Sequence, residues 1–393
     1  MLQGVPIFSQ DPLEPTFVQN PYATYDRMRA TAPLVHWQEY GKPCAVSFAA
    51  ANAILRDRRF GRVPLSPPEI APHLAPFYAV EAHSMLELEP PRHTRLRNLV
   101  LRAFTSRRIA ALGPEIDALA HSLIDAFPDH PFDLLQDFAQ PLPVRIIARL
   151  LGVPESMAPD LLKWSNAMVA MYQVGRSHAD EDRAASASVE FVAFMRDYID
   201  ARRSAPRDDL ITHLIAAEED GAKLSTDEMI STCILLLNAG HEATVHSIGN
   251  AVKTLLEQQR YGAAPVTEAL VEECLRFDAP LHLFIRWAYE DIDVMGRLIP
   301  KGTEIACLLG AANRCPRHWE APESFLPERV AKPNLAFGAG LHFCLGAPLA
   351  RLELRHALAV LCERCPTLAL VERPVYADIY PFHGLKSLIM TLK

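Results

Sequence analysis

The residues best placed to do chemistry lie in one run, Phe337-Gly338-Ala339-Gly340-Leu341-His342-Phe343-Cys344-Leu345-Gly346-Ala347-Pro348. Glycines at 338, 340 and 346 permit tight turns and the close approach of a flat ligand. Pro348 suits the first turn of a helix, whose body is expected over Leu349 to Cys362. Cys344 then sits just before a helix N-terminus, where aligned peptide dipoles favour thiolate over thiol. One thiolate framed by glycines suits a metal that takes a single protein ligand, not a structural zinc site with four. On the residues alone, a buried structural cysteine in a glycine-rich turn remains the alternative. Cys362 and Cys365 form a C-x-x-C, but no second pair accompanies it, so they are expected to be structural.

These residues need elements to hold them. Apolar residues three and four apart predict helices over Tyr22 to Arg29, Pro114 to Phe127, Pro143 to Leu151 and Val189 to Arg203. Ser225-Thr226-Asp227-Glu228 is a capping box, and the helix it opens, through about Glu257, is apolar nearly all round from Met229 to Leu237. Such a helix must run through the middle of the protein. Strand-like stretches are short: Leu34 to Trp37, Cys44 to Val46, Ile292 to Met295, Thr303 to Leu308 and Ser387 to Thr391. The first two and the last are expected to share a small sheet. The patch Pro64 to Pro76, with Ser66, Pro67, Pro68 and Pro72, reads as a long loop. A mainly α fold with a minor β part follows, as one domain spanning residues 1–393.

Composition narrows the class. Of 393 residues, 50% are hydrophobic and 22% charged, enough to bury a large core and to exclude a disordered chain. A net charge of -8 argues against a nucleic-acid surface. No apolar run reaches the ~18 residues of a membrane span. The start MLQGVPIFSQDPLEP shows no secretion signal, and the eight scattered cysteines read as reduced thiols, so the expected location is the cytoplasm.

Phe337, Gly340, Cys344 and Gly346 spell F-x-x-G-x-x-x-C-x-G, which resembles the haem-binding signature of cytochrome P450 enzymes, the Cys-thiolate haem case. Its companions occur in the family's order. Pro90 through Arg97 resembles the haem-contacting helix, and Ala239-Gly240-His241-Glu242-Ala243-Thr244 the oxygen-binding groove of the long central helix. Glu273-Cys274-Leu275-Arg276 resembles E-x-x-R, and Ala312 to Pro316 through Pro327-Glu328-Arg329 looks like the meander, with Cys315 where Asp is usual. The resemblance implies the cytochrome P450 fold, a long central helix over a buried haem b, with Cys344 as the iron's protein ligand. It also implies a monooxygenase that receives electrons from NAD(P)H through a ferredoxin or flavodoxin and its reductase.

The same resemblance distributes further roles. Glu273 and Arg276 share a helical face, and with Arg329 they are expected to form a scaffold beneath the haem. His93 and Arg97, one helical turn apart, together with Arg286 and His342, are the expected partners of the haem propionates. Glu242 is expected in proton delivery. The family's next residue is usually Thr, and here it is Ala243, with Thr244 about 100° further round the helix. Ordered water, a hydroxyl on the substrate, poor coupling or different chemistry could each follow, and a hydroxyl-bearing substrate ranks first. His241 is expected to face away from the metal.

The substrate pocket is expected from Leu236, Ala239, Gly240, Ala243 and Thr244, with His282, Leu283 and Phe284 and the stretch Tyr380 to Phe382. The loop up to Leu86 and the region Met168 to Tyr172 should close it. These are mostly apolar, as for a hydrophobic small molecule, with His282 the polar exception. Arg102, Arg107, Arg108, Arg351, Arg355 and His356 could form a cationic dock for an acidic electron carrier. Oxidative coupling or peroxide-driven oxidation on the same cofactor, and a non-catalytic haem sensor, are the alternative readings.

Overall fold

The computed structural model describes all residues except Met1, Pro68, Val174, Asp220, Gly221, Ala331 and Lys393. Helices dominate. The capping box is formed as expected: the Ser225 side chain accepts from the Glu228 N–H, and Glu228 reaches back to the Ser225 N–H at 2.9 Å. It opens a helix over Thr226–Glu257 that packs against Pro141–Leu151, Ala158–Val169 and Ala347–Arg364. Most of its residues are buried, as its all-round apolar sequence requires. The other predicted helices occur as Pro21–Thr31, Gly113–Asp125, Pro141–Leu151 and His178–Ser204. The last begins eleven residues before its apolar periodicity, because Ser177 and Asp180 close a second capping box there.

The largest sheet has six strands in the order Ile7–Phe8, Leu34–Trp37, Lys42–Ala45, Glu304–Leu308, Leu283–Ala288 and Phe60–Gly61. Leu34 pairs with Ala45 as expected. The C-terminal strand Ile389–Leu392 does not join them. It pairs antiparallel with Leu368–Leu370 and with Phe132–Asp133 in a separate sheet. Short strands carry too little pattern to choose a partner. The proline-rich stretch is irregular at 62–67 and 69–71, then forms a short turn, Pro72–Leu74, and a helix, Ala75–Glu81. Pro76 sits in that helix's first turn, where a missing N–H costs nothing. Pro68 lies outside the described residues.

Candidate active site

The Cys344 loop is built by backbone. Cys344 N–H donates to the Phe337 carbonyl at 3.1 Å, and Phe343 N–H to that of Gly340 at 3.1 Å. Gly340 has φ +73°, and a Cβ there would stand 2.1 Å from the Leu55 carbonyl oxygen. No side chain can be accommodated, so glycine is required. A Cβ on Gly338 would stand 2.8 Å from the Phe284 ring, so Phe284 braces the loop from the sheet. Phe337 is held on its other side by the Arg351 guanidinium, 4.5 Å from the ring centre. The helix behind the loop runs over Ala347–Arg364, beginning two residues earlier than the sequence suggested. Cys362 and Cys365 are free thiols near its end.

One expectation about Cys344 is corrected. Burial dominates and pushes its thiol above the ordinary value. The N–H groups of Gly346 and Ala347 and the charges of Arg97 and Arg351 pull the other way without prevailing. The helix start alone therefore does not make a thiolate; a bound cation is needed to complete the deprotonation.

Four nitrogen-bearing side chains converge around this loop. His93 is 1% exposed, its Nδ1 has no hydrogen-bond partner, and its ring centre lies 4.4 Å from that of His342. Burial, then the neighbouring His342 and Arg97, push His93 down to about 4. Arg97 donates to the Phe343 carbonyl at 2.7 Å, and His342 Nε2 lies 3.0 Å from Glu89 Oε1. Arg286 is 1% exposed and donates to the Ile285 carbonyl at 2.8 Å. Among the described residues no carboxylate forms an ion pair with it, and burial lowers it to about 10. A buried guanidinium without a counter-ion is costly and marks the place of an anionic ligand. These donors and the glycine cradle fit a flat group carrying carboxylates. Replacing Arg286 with Ala, or His93 with Ala, is expected to lower the fraction of chains that retain haem through gel filtration. Full occupancy in both variants would remove these residues from the haem contacts.

The central helix supplies the opposite wall. At 100° per residue, Leu236, Ala239, Gly240, Ala243 and Ser247 fall on one stripe. Ala239 is exposed and the other four are partly exposed, as are Leu235 and Glu242 at the edges, in the middle of a helix that is mostly buried. Leu237, His241, Thr244 and Ile248 lie buried on the far side. His241 is turned from the open stripe, and burial pushes it down to about 4. It is neutral, so its 3.8 Å approach to Glu242 is not an ion pair. Thr244 is turned from the stripe and donates to the Gly240 carbonyl at 2.8 Å. Glu242 lies at the stripe's edge and is paired with His246 Nε2 at 3.0 Å. Burial raises the Glu242 carboxyl, but the His246 bond and charge outweigh it, so the acid stays below its ordinary value.

Four pocket expectations fail: Thr244 is turned from the stripe, and His282, Leu283 and Phe284 are committed elsewhere. The His282 ring nitrogens lie 3.4 Å from the Tyr22 hydroxyl and 3.0 Å from that of Tyr25, and the residue is fully buried. It belongs to an aromatic network with Tyr380 and His383, not to a substrate pocket. Leu283 packs in the same core as Phe17, Tyr25 and Trp37. Strand alternation sends its neighbour Phe284 to the loop instead. Phe382 is partly exposed, with its ring 6.0 Å from that of His246, which places it beside the stripe's edge. A cavity of about 530 Å³ lies elsewhere, against Val189, Val192 and Ile230; of the expected pocket it includes only Pro76, Ala79, Val80 and His83, from the stretch leading up to Leu86.

Glu273 and Arg276 form a bidentate pair, both hydrogen bonds 2.7 Å, in full burial. Arg276 also donates to the carbonyls of Asn313, Pro322 and Ser324, and Leu326 N–H donates to Glu273. Arg329 lies 3.4 Å from the same carboxylate. The triad ties the irregular segment after residue 312 to the helix Glu268–Phe277.

The cationic dock is largely compensated. Arg108 pairs with Asp208 at 3.1 Å, Arg355 with Glu268 at 3.6 Å, His356 with Asp117 at 2.7 Å, and Arg351 with Glu272. Arg107 is exposed. The sequence shows the cations in clusters, but their partners come from distant helices.

Three residues escaped sequence reasoning. His246 and Ser247 follow Glu242 and Ala243 by four, a spacing that could have revealed them. Ser247 donates to the Ala243 carbonyl at 2.8 Å. Glu89 meets His342 across 253 positions, with no local signal.

A family model described as Cytochrome P450 matches residues 253–370. The chain is 36% identical over 405 residues to the cytochrome P450 monooxygenase PikC of Streptomyces venezuelae, covering 98% of this chain and 94% of that one. It is 35% identical to the biotin biosynthesis cytochrome P450 of Bacillus subtilis (strain 168), over 96% and 97% of the two chains. Among solved structures, P450BioI in complex with hexadec-9Z-enoic acid ligated acyl carrier protein matches with a TM-score of 0.91, 35% identity and 96% and 99% coverage.

Proposed function

The chain belongs to the cytochrome P450 family and is a monooxygenase with haem b; from that premise we propose a hydrophobic small-molecule substrate that carries a hydroxyl group. Bound haem supplies an iron centre that activates dioxygen with electrons drawn from NAD(P)H through redox partners. Cys344 would hold the iron from the loop side, and His93, Arg97, Arg286 and His342 would hold the propionates. Phe337, Gly338 and Gly346 would shape the loop that meets the ring. The stripe Leu236, Ala239, Gly240 and Ala243 would exclude bulk water and hold the substrate by apolar contact.

The observation that carries the substrate reading is that the open stripe has no uncommitted hydroxyl. Ala243 has none, Thr244 is turned away, and Ser247 is spent on the Ala243 carbonyl. Glu242, held ionised by His246, can accept and release protons at the stripe's edge but cannot by itself position water over Ala243. A substrate hydroxyl would complete the chain of hydrogen bonds. Among the structural neighbours, P450BioI holds a hexadecenoic acid on its carrier protein and another P450 holds testosterone, which supports the hydrophobic class.

Screening for substrates by spin-state shift, then comparing each hydroxyl-bearing substrate with its deoxy analogue, tests this reading. The native enzyme is expected to form several-fold less product per NAD(P)H from the deoxy analogue, and Ala243→Thr to recover part of the difference. Equal coupling for both substrates in the native enzyme would overturn it. We place a single folding unit over residues 1–393 and an acidic ferredoxin-type donor on the cluster of Arg102, Arg107, Arg108, Arg351, Arg355 and His356. Because several of these cations are paired with carboxylates, electron transfer there should weaken only modestly as salt is raised.

A further inference from the structure

A cluster of metal-ligating side chains stands apart from the haem site. His73 lies in the short turn Pro72–Leu74, and His178 and Asp182 in the first turns of the helix His178–Ser204. One ligand atom from each falls within 4.8 Å of the other two. The imidazole rings stack nearly parallel, 14° apart with centres 4.5 Å apart. Each faces a carboxylate: His178 Nδ1 lies 3.1 Å from Asp182 and His73 Nε2 lies 3.0 Å from Glu181. Glu181 is shared with Arg176 at 3.1 Å, whereas Asp182 is 58% exposed, with His178 its partner.

We propose that His73, His178 and Asp182 bind a divalent cation of the zinc class, and that the ion clasps the turn before Ala75–Glu81 to the helix His178–Ser204. Two imidazoles and one carboxylate are the donor set zinc prefers over magnesium, which wants oxygen ligands in an octahedron. The ligating lone pair of an imidazole lies in its ring plane, so binding one ion would turn the two rings out of their stack, which the 71% exposure of His178 allows. The positive end of the helix dipole opposes a cation here, and Asp180, Glu181 and Asp182 in the first turns offset it. The site is half-open, so water would complete the coordination. Its place gives it a consequence. The helix Ala75–Glu81 is already tied at its far end, where Tyr172 donates to Glu81 at 3.0 Å. The clasp would fix the near end and with it the loop leading into that helix.

Zinc titrated into the haem-loaded protein, followed by calorimetry with magnesium as control, tests the proposal. One saturable zinc per chain is expected, with no magnesium binding. His73→Ala and His178→Ala should each weaken zinc at least as much as loss of an outer-shell partner does, roughly tenfold or more. Asp182→Asn keeps the size of the side chain and should weaken zinc as well, which separates ligation from misfolding. Zinc should also slow proteolysis between residues 62 and 71 in the native protein and not in His73→Ala. No saturable zinc, equal affinity in all variants, or loss confined to the two variants of the long helix would overturn the clasp.

Discussion

Replacing Cys344 with Ser or Ala is expected to abolish the Soret band near ~450 nm of the reduced, carbon monoxide-treated protein, because that band follows from thiolate donation to iron. Turnover with every reductant should vanish with it. The loop itself should survive, since its shape rests on backbone hydrogen bonds from Phe343 and Cys344 and on glycines at 338 and 340, none of which uses the sulfur. Far-UV circular dichroism of the variant should therefore match the native protein while the spectrum changes completely. A free Cys344 is held above its ordinary value by burial. In the haem-free protein it should consequently react slowly with iodoacetamide near neutral pH and faster as pH rises, since only the thiolate is nucleophilic. A band near ~450 nm that persists without Cys344 would remove this sulfur as the iron's ligand.

Breaking the buried triad should produce the second large effect, on stability. Arg276→Ala leaves the Glu273 carboxylate buried beside only Arg329 and the Leu326 N–H, and strands the carbonyls of Asn313 and Pro322. Removing one member of such a pair costs about 3–5 kcal/mol. Denaturant unfolding monitored by circular dichroism should show a loss of that order for Arg276→Ala and for Glu273→Ala. The double variant should lose less than the sum of the two, because it leaves neither charge uncompensated. A loss under about 1 kcal/mol in both single variants would mean that the pair is solvated, like an ordinary surface ion pair.

The two predictions differ in how far the sequence anticipated them. Cys344 with its glycines and the Glu273–Arg276 spacing are local patterns, and local backbone rules carry them into three dimensions unchanged. The capping boxes and the all-round apolar central helix were legible for the same reason: a helix is specified by residues three and four apart. Strand partners were not, because two to six residues of alternating pattern fit several neighbours, and the C-terminal strand joined a sheet the sequence did not suggest.

Side-chain direction marks the boundary more sharply. Leu283 and Phe284 are adjacent and similar in character, yet one enters the aromatic core and the other braces the Cys344 loop. Only the sheet's orientation separates them. His282 looked like a free polar group in an apolar stretch, and two tyrosines from a helix 257 to 260 positions away had already taken its nitrogens. The arginines following Cys344 looked like an open cationic face until Glu268, Glu272 and Asp117 arrived from other helices.

The chain alone thus determined the ligand loop, the central helix and the missing hydroxyl at Ala243, since each depends on neighbours within a turn or two. The tertiary structure alone decided which charges stay uncompensated, Arg286 among them, and which face of the central helix lies open. Pairing energies and solvent access are properties of what packs against a residue, and contacts over hundreds of positions leave no trace in local spacing.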